Sequence, residues 1–180
     1  MRNSLRSLRE KSQEFVIFAF KFLILDVMKN LIIVVFTIFF ISCNSDKTFY
    51  SNTHYFEASN WKKDEQISFE MLIEDIECDY SIELIIDHLI TYQFSTFLLG
   101  LNIIAPDGNI RQTDYEINFR NKEREFIGER IENYQKFNYV AIPKISFNQT
   151  GIYQLNFKHY MPFEVLHGIY ALTLNMQKKD

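Results

Sequence analysis

The 180 residues give room for one ordinary domain and a terminal segment, and a composition of 47% hydrophobic and 16% aromatic residues supplies a packed core and argues against wholesale disorder. The formal charge of −4 divides unevenly, because residues 1–42 carry six Lys and Arg against three acids and the rest of the chain carries 13 against 20. An acidic body without clustered Lys and Arg makes nucleic acid a poor partner, and we predict that the protein binds none.

The chain opens with two apolar runs. Residues 15–27 (FVIFAFKFLILDV) are interrupted by Lys21 and closed by Asp26, so this run is shorter than the roughly 20 apolar residues that span a bilayer. Residues 28–43 (MKNLIIVVFTIFFISC) have the three parts of a secretory signal: a positive charge at Lys29 near the start, an apolar stretch, and a small residue before the end. The second run therefore predicts a signal peptide.

A cysteine ends the second run. The four residues FISC, at positions 40–43, resemble a bacterial lipobox, in which a diacylglycerol is attached to the cysteine thiol and the signal is cut just before it. We therefore predict lipidation of Cys43 and assign residues 1–42 to a leader and lipoprotein signal peptide. Signals of this kind usually stand at the start of a chain, so we expect translation to begin at Met28. Two or three acyl chains anchor a protein durably, whereas one does so only marginally.

Two other interpretations of this region stay open. An uncleaved apolar stretch over residues 31–41 would act as a transmembrane anchor. In an oxidising compartment, Cys43 would pair in a disulfide with Cys78, the second of the two cysteines in the chain. The place of Cys43 at the predicted processing site favours lipidation over the disulfide.

The pattern then changes twice along the chain. Residues 44–60 (NSDKTFYSNTHYFEASN) are polar and aperiodic, which predicts a tether over residues 43–60 leading into a domain over residues 61–180. From residue 67 onward the apolar positions alternate, as they do in strands with one buried face. The sets predicted to share such a face are Ile67, Phe69, Met71 and Ile73; Tyr80, Ile82, Leu84 and Ile86; Tyr153, Leu155 and Phe157; and Tyr170, Leu172, Leu174 and Met176.

A continuous apolar run and a turn complete this pattern. Residues 96–105 (TFLLGLNIIA) suit a central strand, and the PDG at residues 106–108 predicts a turn. Helical spacing is found only around residues 121–135, where Gly128 is unfavourable. Short alternating strands separated by turns predict an all-β fold, an antiparallel two-sheet sandwich of about seven or eight strands, either jelly-roll or immunoglobulin-like.

Signatures of chemistry are few. The sequence lacks GxSxG, a Gly-rich phosphate loop, HExxH and any Cys and His cluster at metal spacing, so we predict no enzyme, no cofactor and no metal site. His159 and His167 would meet across a hairpin, but a metal needs a third ligand, and structural roles are favoured. The acidic segment EDIECD at residues 74–79 lacks the spacing of a calcium loop and is typical of a solvated strand end.

The aromatic residues allow two interpretations, a sandwich core or a sugar-binding face, and we expect core packing for most of them. Tyr92 and Phe94, in TYQFSTF, have polar neighbours and are expected to face the surface, where an exposed aromatic patch favours a protein partner. The full set considered is Trp61, Tyr92, Phe94, Phe97, Tyr153, Phe157, Tyr160 and Phe163.

Several short motifs occur in a particular order. After the lipobox cysteine come Trp61 with KKDEQISFEM, then IELIIDHLITYQFSTFLL, PDG and FIGERI, and finally FNQTGIYQLNFKHYM and LHGIYALTL. Over about residues 43–176 this order resembles the gliding-motility lipoproteins of the GldH family. The sequence departs from the family pattern at Gln93, Thr96 and Pro162, where Pro, Asn and Arg are expected, and at Asp87–His88, where an Arg is common.

The resemblance implies a lipoprotein of the cell envelope of Bacteroidota-type bacteria, at the periplasmic face of the outer membrane rather than the inner membrane. It implies a structural or assembly role, without catalysis, in gliding motility and the linked protein-secretion machinery. The partners would be the membrane, through acyl chains such as palmitate on Cys43, and other envelope proteins of that complex. The alternative function is a lipid-anchored carbohydrate-binding sandwich.

Overall fold

A computed structural model describes residues 48–179 of the chain. Within this range eleven β-strands and one short 3-10 helix, Glu57–Ser59, account for the regular structure, and the predicted all-β class is confirmed. The strands are β1 (Thr48–Tyr55), β2 (Asn60–Lys62), β3 (Ile67–Ile73), β4 (Asp79–Leu89), β5 (Thr96–Ile104), β6 (Ile110–Asn118), β7 (Glu129–Ile131), β8 (Tyr134–Ile145), β9 (Gly151–His159), β10 (Val165–His167) and β11 (Ile169–Lys179).

Two antiparallel sheets pack as a sandwich, which confirms the predicted architecture. One sheet has the order β1-β11-β4-β8-β7, the other has the order β3-β9-β5-β6, and β2 pairs with β10 separately. The strands β2, β7 and β10 have only three residues each. When the longer strands are numbered one to eight along the chain, the sheets have the orders 1-8-3-6 and 2-7-4-5. This is the strand order of a jelly roll, so the jelly-roll alternative is the correct one.

The alternating residues form a common core between the sheets, as predicted. One exception is Tyr170, which is 37% exposed, because the pairing of β11 with β4 shifts between Ile169 and Ala171 and turns the residue between them outward. The predicted sets that are buried are Ile67, Phe69, Met71 and Ile73; Tyr80, Ile82, Leu84 and Ile86; Tyr153, Leu155 and Phe157; and Leu172, Leu174 and Met176.

The predicted tether over residues 43–60 is wrong for its described part. Residues 48–55 form β1, which pairs with β11 along its length, and the ring of Phe49 packs 5.5 Å from that of Tyr80. The sequence of β1 did not predict a strand, because β1 lies at the edge of its sheet and none of its side chains is fully buried. Apolar and polar residues therefore do not alternate along it. Cys43 and residues 44–47 lie outside the described residues.

The structure tests two further predictions, the turn at residues 106–108 and the helical spacing at residues 121–135. The PDG turn is confirmed, since the N–H of Gly108 donates to the carbonyl oxygen of Ala105 at 2.9 Å and Gly108 has a φ of 84°. Residues 121–135 do not form a helix. They contain a tight loop and β7, which pairs with β8.

Strand β1 defines the two ends of the sandwich. At the first, which we call the entry end, Thr48 pairs with Gln177, and the β3–β4 loop lies beside them because Asp75 accepts a hydrogen bond from Lys178 at 3.0 Å. At the opposite end, which we call the far end, Tyr55 finishes the strand and the chain turns into the 3-10 helix. The eight residues of β1 separate the two ends by about 26 Å.

Candidate functional site

A cleft opens at the far end of the sandwich, where β4 ends and β11 begins. Its volume is about 450 Å³, within the range of sites that take small ligands or a few side chains of a partner. The walls come from the 3-10 helix, the β4–β5 loop, the β9–β10 loop and β10. The side chains that matter below are Asn60, Thr91, Gln93, Phe94, Phe163 and His167.

Two phenylalanines form the apolar part of the cleft. The rings of Phe94 and Phe163 lie 4.8 Å apart with an interplanar angle of 31°. Phe163 is 38% exposed and Phe94 is half-buried. Phe94 is supported from beneath by the ring of Tyr92, whose centroid is 5.5 Å away at an angle of 77°. The pair therefore presents apolar surface on an aromatic base, and Phe94 is partly exposed, in line with the prediction that it faces the surface.

Polar side chains surround this pair. The ring nitrogen Nδ1 of His167 lies 2.6 Å from Oδ1 of Asn60. Because an amide oxygen only accepts, Nδ1 is the donor in this bond. Thr91 and Gln93 are exposed on the β4–β5 loop. An aromatic centre with a polar rim is the usual composition of a protein-binding surface.

The backbone beside the cleft is strained. Ala58 and Ser59 have φ values of 50° and 56°, in the left-handed region that costs a residue with a Cβ about 1–2 kcal/mol. The carbonyl oxygen of Ser59 accepts the N–H of Gly168 at 2.7 Å, and the carbonyl oxygen of Gly168 accepts the N–H of Leu89 at 2.8 Å. These bonds hold the strained turn against the start of β11. Strain that the surroundings maintain is found preferentially at binding sites.

A shallower depression adjoins the cleft and shares Phe94 with it. Met161 forms part of its floor, and the Sδ atom of Met161 accepts the N–H of Leu98 at 3.4 Å. Thr96 and Pro162 line this depression, and Gln93 lines the cleft. Three of the positions at which the sequence departs from the resembled family pattern, Gln93, Thr96 and Pro162, thus lie on one surface around Phe94, which we call the far-end surface.

The prediction that Tyr92 faces the surface is wrong. Only 2% of Tyr92 is exposed, and its ring packs against His88, Phe94 and Phe119. The polar neighbours of Tyr92 point into solvent from a loop while its own ring points inward, and the sequence has no periodicity there that distinguishes the two directions. The sugar-binding interpretation loses Tyr92 and also four residues that pack in the core as expected: Trp61, Phe97, Tyr153 and Phe157.

A buried histidine underlies the far-end surface, at a position where the sequence departs from the resembled family pattern. His88 is fully buried and stacks on Phe119 at 4.6 Å. Its Nδ1 donates to the carbonyl oxygen of Leu89 at 3.1 Å, while Nε2 is buried without a hydrogen-bond partner in the described structure. Burial lowers the pKa of His88, and the nearby Arg120 guanidinium lowers this pKa further. The neutral ring is part of the aromatic support of the surface.

The other two histidines considered above have structural partners. His159 is buried and its Nε2 donates to the carbonyl oxygen of Trp61 at 3.2 Å, whereas His167 bonds to Asn60. Burial lowers the pKa of His159 as well. Over residues 48–179, no three or more His, Cys, Asp and Glu side chains are grouped so as to hold a metal ion.

The acidic segment at residues 74–79 forms the β3–β4 loop and the first residue of β4. A hydrogen bond from Lys178 lowers the pKa of Asp75, and one from Lys144 lowers the pKa of Asp79. Cys78 is a half-buried free thiol in the described structure. The predicted lipidation site, Cys43, lies outside the described residues and stays a prediction.

The fold and the far-end surface define the protein as a jelly-roll domain with an aromatic, polar-rimmed cleft at one end of its sandwich. In the part of the chain that the structure describes, no helix has the length and apolarity needed to cross a bilayer. A sequence model described as GldH lipoprotein matches residues 48–175, and the chain belongs to this family. The family consists of lipoproteins associated with gliding motility, which places the protein in the cell envelope, anchored to a membrane, and it is not known as a family of enzymes.

Comparison with solved structures gives distant similarities. The VP2 subviral particle of infectious bursal disease virus matches with a TM-score of 0.36 and 13% identity over 72% of this chain and 33% of the viral chain. A structure of the Gx strain of the same virus matches with a TM-score of 0.23 and 13% identity over 73% of this chain and 42% of that chain. This chain therefore spans less than half of either viral chain. No curated protein sequence matches it at a significant level.

Proposed function

We propose that this protein is a lipid-anchored envelope protein that works without catalysis, as a structural or assembly component of the gliding machinery and its associated protein-secretion apparatus. The observation that carries this proposal is the family match, which covers nearly all of the described domain. The far-end surface supports it, because an aromatic pair with a polar rim favours contact with another protein.

The proposed anchor is Cys43, lipidated at the periplasmic face of the outer membrane. The chain enters the domain at Thr48, so the anchor attaches to the entry end. The length of β1 separates this end from the cleft by about 26 Å. An anchor at the entry end leaves the far-end surface free to meet other envelope proteins of the gliding complex.

The partner surface is tested by changing Phe94 and Phe163 to Asp together in the bacterium that carries the gene. We expect surface movement to be lost, because two carboxylates replace the apolar centre of the cleft, while the amount of protein in the envelope is retained. Val140→Asp is the matched control, since Val140 is 56% exposed on β8 and lies outside the cleft. Normal movement of the double variant would refute a role for this surface.

The anchor and the partner are tested separately. Cys43→Ala should release the protein from the membrane fraction, and mass spectrometry should find acyl chains on the unsubstituted Cys43. A photoreactive residue at position 93 should cross-link to other envelope proteins far more strongly than one at position 140. Normal spreading by a strain that lacks the gene but retains the rest of the machinery would contradict the proposed function as a whole.

A further inference from the structure

Exposed aliphatic side chains gather at the entry end, away from the cleft. Leu72 of β3 and Ile152 of β9 are direct register partners and are 52% and 59% exposed. Ile110 of β6 is 65% exposed and is the register partner of Ile104 in β5, which is half-buried. We call Leu72, Ile104, Ile110 and Ile152 the aliphatic patch.

The patch lies on one face of one sheet. Met71 and Tyr153 point into the core, so their neighbours Leu72 and Ile152 point outward from the four-stranded sheet. Ile103 is likewise buried, which directs Ile104 outward together with its partner Ile110. The two pairs occupy adjacent rows, because Ile104 pairs with Gln154, two residues along β9 from Ile152. Exposed aliphatic residues grouped in this way mark a contact surface rather than scattered surface positions.

The patch is at the same end as the start of β1. Ile73 ends β3 and leads into the β3–β4 loop, where Asp75 is bonded to Lys178. Lys178 follows Gln177, the partner of Thr48. The loop itself adds another aliphatic side chain, Ile76, which is 43% exposed.

The chain length between the predicted anchor and this end is short. Five peptide steps connect Cys43 to Thr48, and a fully extended chain of this length reaches at most about 18 Å. A lipid on Cys43 would therefore keep the entry end close to the bilayer surface at all times. A group of aliphatic side chains held there has the bilayer as its nearest apolar phase.

We propose that the aliphatic patch is a second membrane contact, which inserts into the interfacial region of the same bilayer that holds the acyl chains of Cys43 and so fixes the orientation of the domain. This inference rests on the proposed lipid anchor. The apolar chemistry of the patch fits the acyl boundary of a lipid layer rather than charged headgroups. Among the neighbouring carboxylates, Asp75 and Asp79 are paired with Lys178 and Lys144, whereas Glu70, Glu74 and Glu77 are exposed without an ion pair in the described structure. The proposed contact is made by apolar side chains and needs no anionic lipid.

The test uses the full mature protein, lipidated and reconstituted into phosphatidylcholine vesicles. In a Cys78→Ser background, an environment-sensitive fluorophore is attached at Ile152→Cys or, as a control on the other sheet, at Val140→Cys. The vesicles contain or lack a lipid with a nitroxide on its headgroup. We expect nitroxide quenching to be several-fold stronger at position 152 than at position 140, at low and high salt alike.

A second variant separates apolar insertion from mere closeness to the tether. Adding Leu72→Asp and Ile110→Asp to the protein labelled at position 152 should reduce the quenching to that seen at position 140, because charged side chains do not enter the interface. Mass spectrometry of Cys43 accompanies each sample. Acylated Cys43 with equal quenching at the two positions, or with quenching unchanged by the two Asp substitutions, overturns the membrane contact alone. An unmodified Cys43 overturns both the contact and the proposed anchor.

Discussion

Gly128 precedes β7 with a backbone φ of 105°, and a Cβ atom at this position would collide with the carbonyl oxygen of Lys136. Both the left-handed conformation and the close approach of a neighbouring strand require a residue without a side chain. Gly108 in the PDG turn also has a positive φ, but no atom lies within 4 Å of the place where its Cβ would be. Substitution of Gly108 therefore introduces conformational strain alone, whereas substitution of Gly128 introduces strain and a steric collision.

We predict that Gly128→Ala lowers the free energy of unfolding by at least about 2 kcal/mol, because strain and collision add. Gly108→Ala, the matched control, should cost only about 1 kcal/mol, since strain alone applies. Urea denaturation of the purified variants measures both. Equal losses in the two variants would show that the contact with Lys136 is not rigid.

The buried histidines make stability depend on pH. The pKa values of His88 and His159 are lowered in the folded protein, chiefly by burial, so both rings stay neutral there when the unfolded chain begins to protonate below about pH 6.5. The unfolded state then binds more protons, and stability falls as the pH falls.

We predict that the free energy of unfolding is constant above about pH 7 and decreases below pH 6.5, by at most about 1.4 kcal/mol per pH unit for each histidine. Thermal or urea unfolding between pH 7.5 and pH 5.5 measures this slope. His88→Gln and His159→Gln should each reduce the slope, whatever they do to stability at pH 7.5. If neither variant changes the slope of the free energy of unfolding against pH, the pH dependence arises from other titratable groups.

At the scale of elements, β1 is part of the sandwich although its sequence is that of a tether. It covers the edge of β11, where Thr53 and Thr173 share a hydrogen bond of 2.8 Å, and it brings Phe49 against Tyr80. Polar side chains on an outer edge strand give no alternation for a sequence pattern to detect. The central strands, whose alternation has a buried face, were predictable for the same physical reason.

We predict that deletion of residues 48–55 lowers the melting temperature by more than about 10 °C or causes aggregation, because it exposes the edge of β11 and part of the core. Deletion of residues 44 and 45 is the control and should leave the melting temperature unchanged. Circular dichroism with heating makes the comparison. If neither deletion changes the melting temperature, β1 does not contribute to stability, and the original prediction of a tether over residues 43–60 would be supported.

At the scale of the whole molecule, the jelly roll places the two candidate contact surfaces at opposite ends of the sandwich. The entry end has the aliphatic patch and receives the chain from Cys43, and the far end has the cleft with Phe94 and Phe163. One long edge strand joins them. In the proposed arrangement, with Cys43 anchored at the entry end, this strand would set the distance from membrane to cleft.

We predict that about 20 Gly and Ser residues inserted after Lys47 weaken the membrane contact, because a flexible linker of this length spans roughly 25 Å and lowers the effective concentration of the patch at the bilayer. Nitroxide quenching at position 152 should decrease while acylation of Cys43 is unchanged. A rigid, charged helical linker of similar reach serves as the control and should reduce quenching at least as much. If quenching at position 152 is the same with and without the inserted linker, the patch binds lipid independently of the anchor.

The sequence by itself determined the all-β class, the core faces of the central strands and the PDG turn, because each of these depends on local alternation or on the conformation of a single residue. It also carried the family resemblance, which lies in the order of its motifs. Only the tertiary structure decided between jelly roll and immunoglobulin-like order, since strand pairing is non-local and leaves no periodic trace. The burial of Tyr92, the cleft around Phe94 and the aliphatic patch likewise arise where segments distant in sequence meet, so no local pattern specifies them.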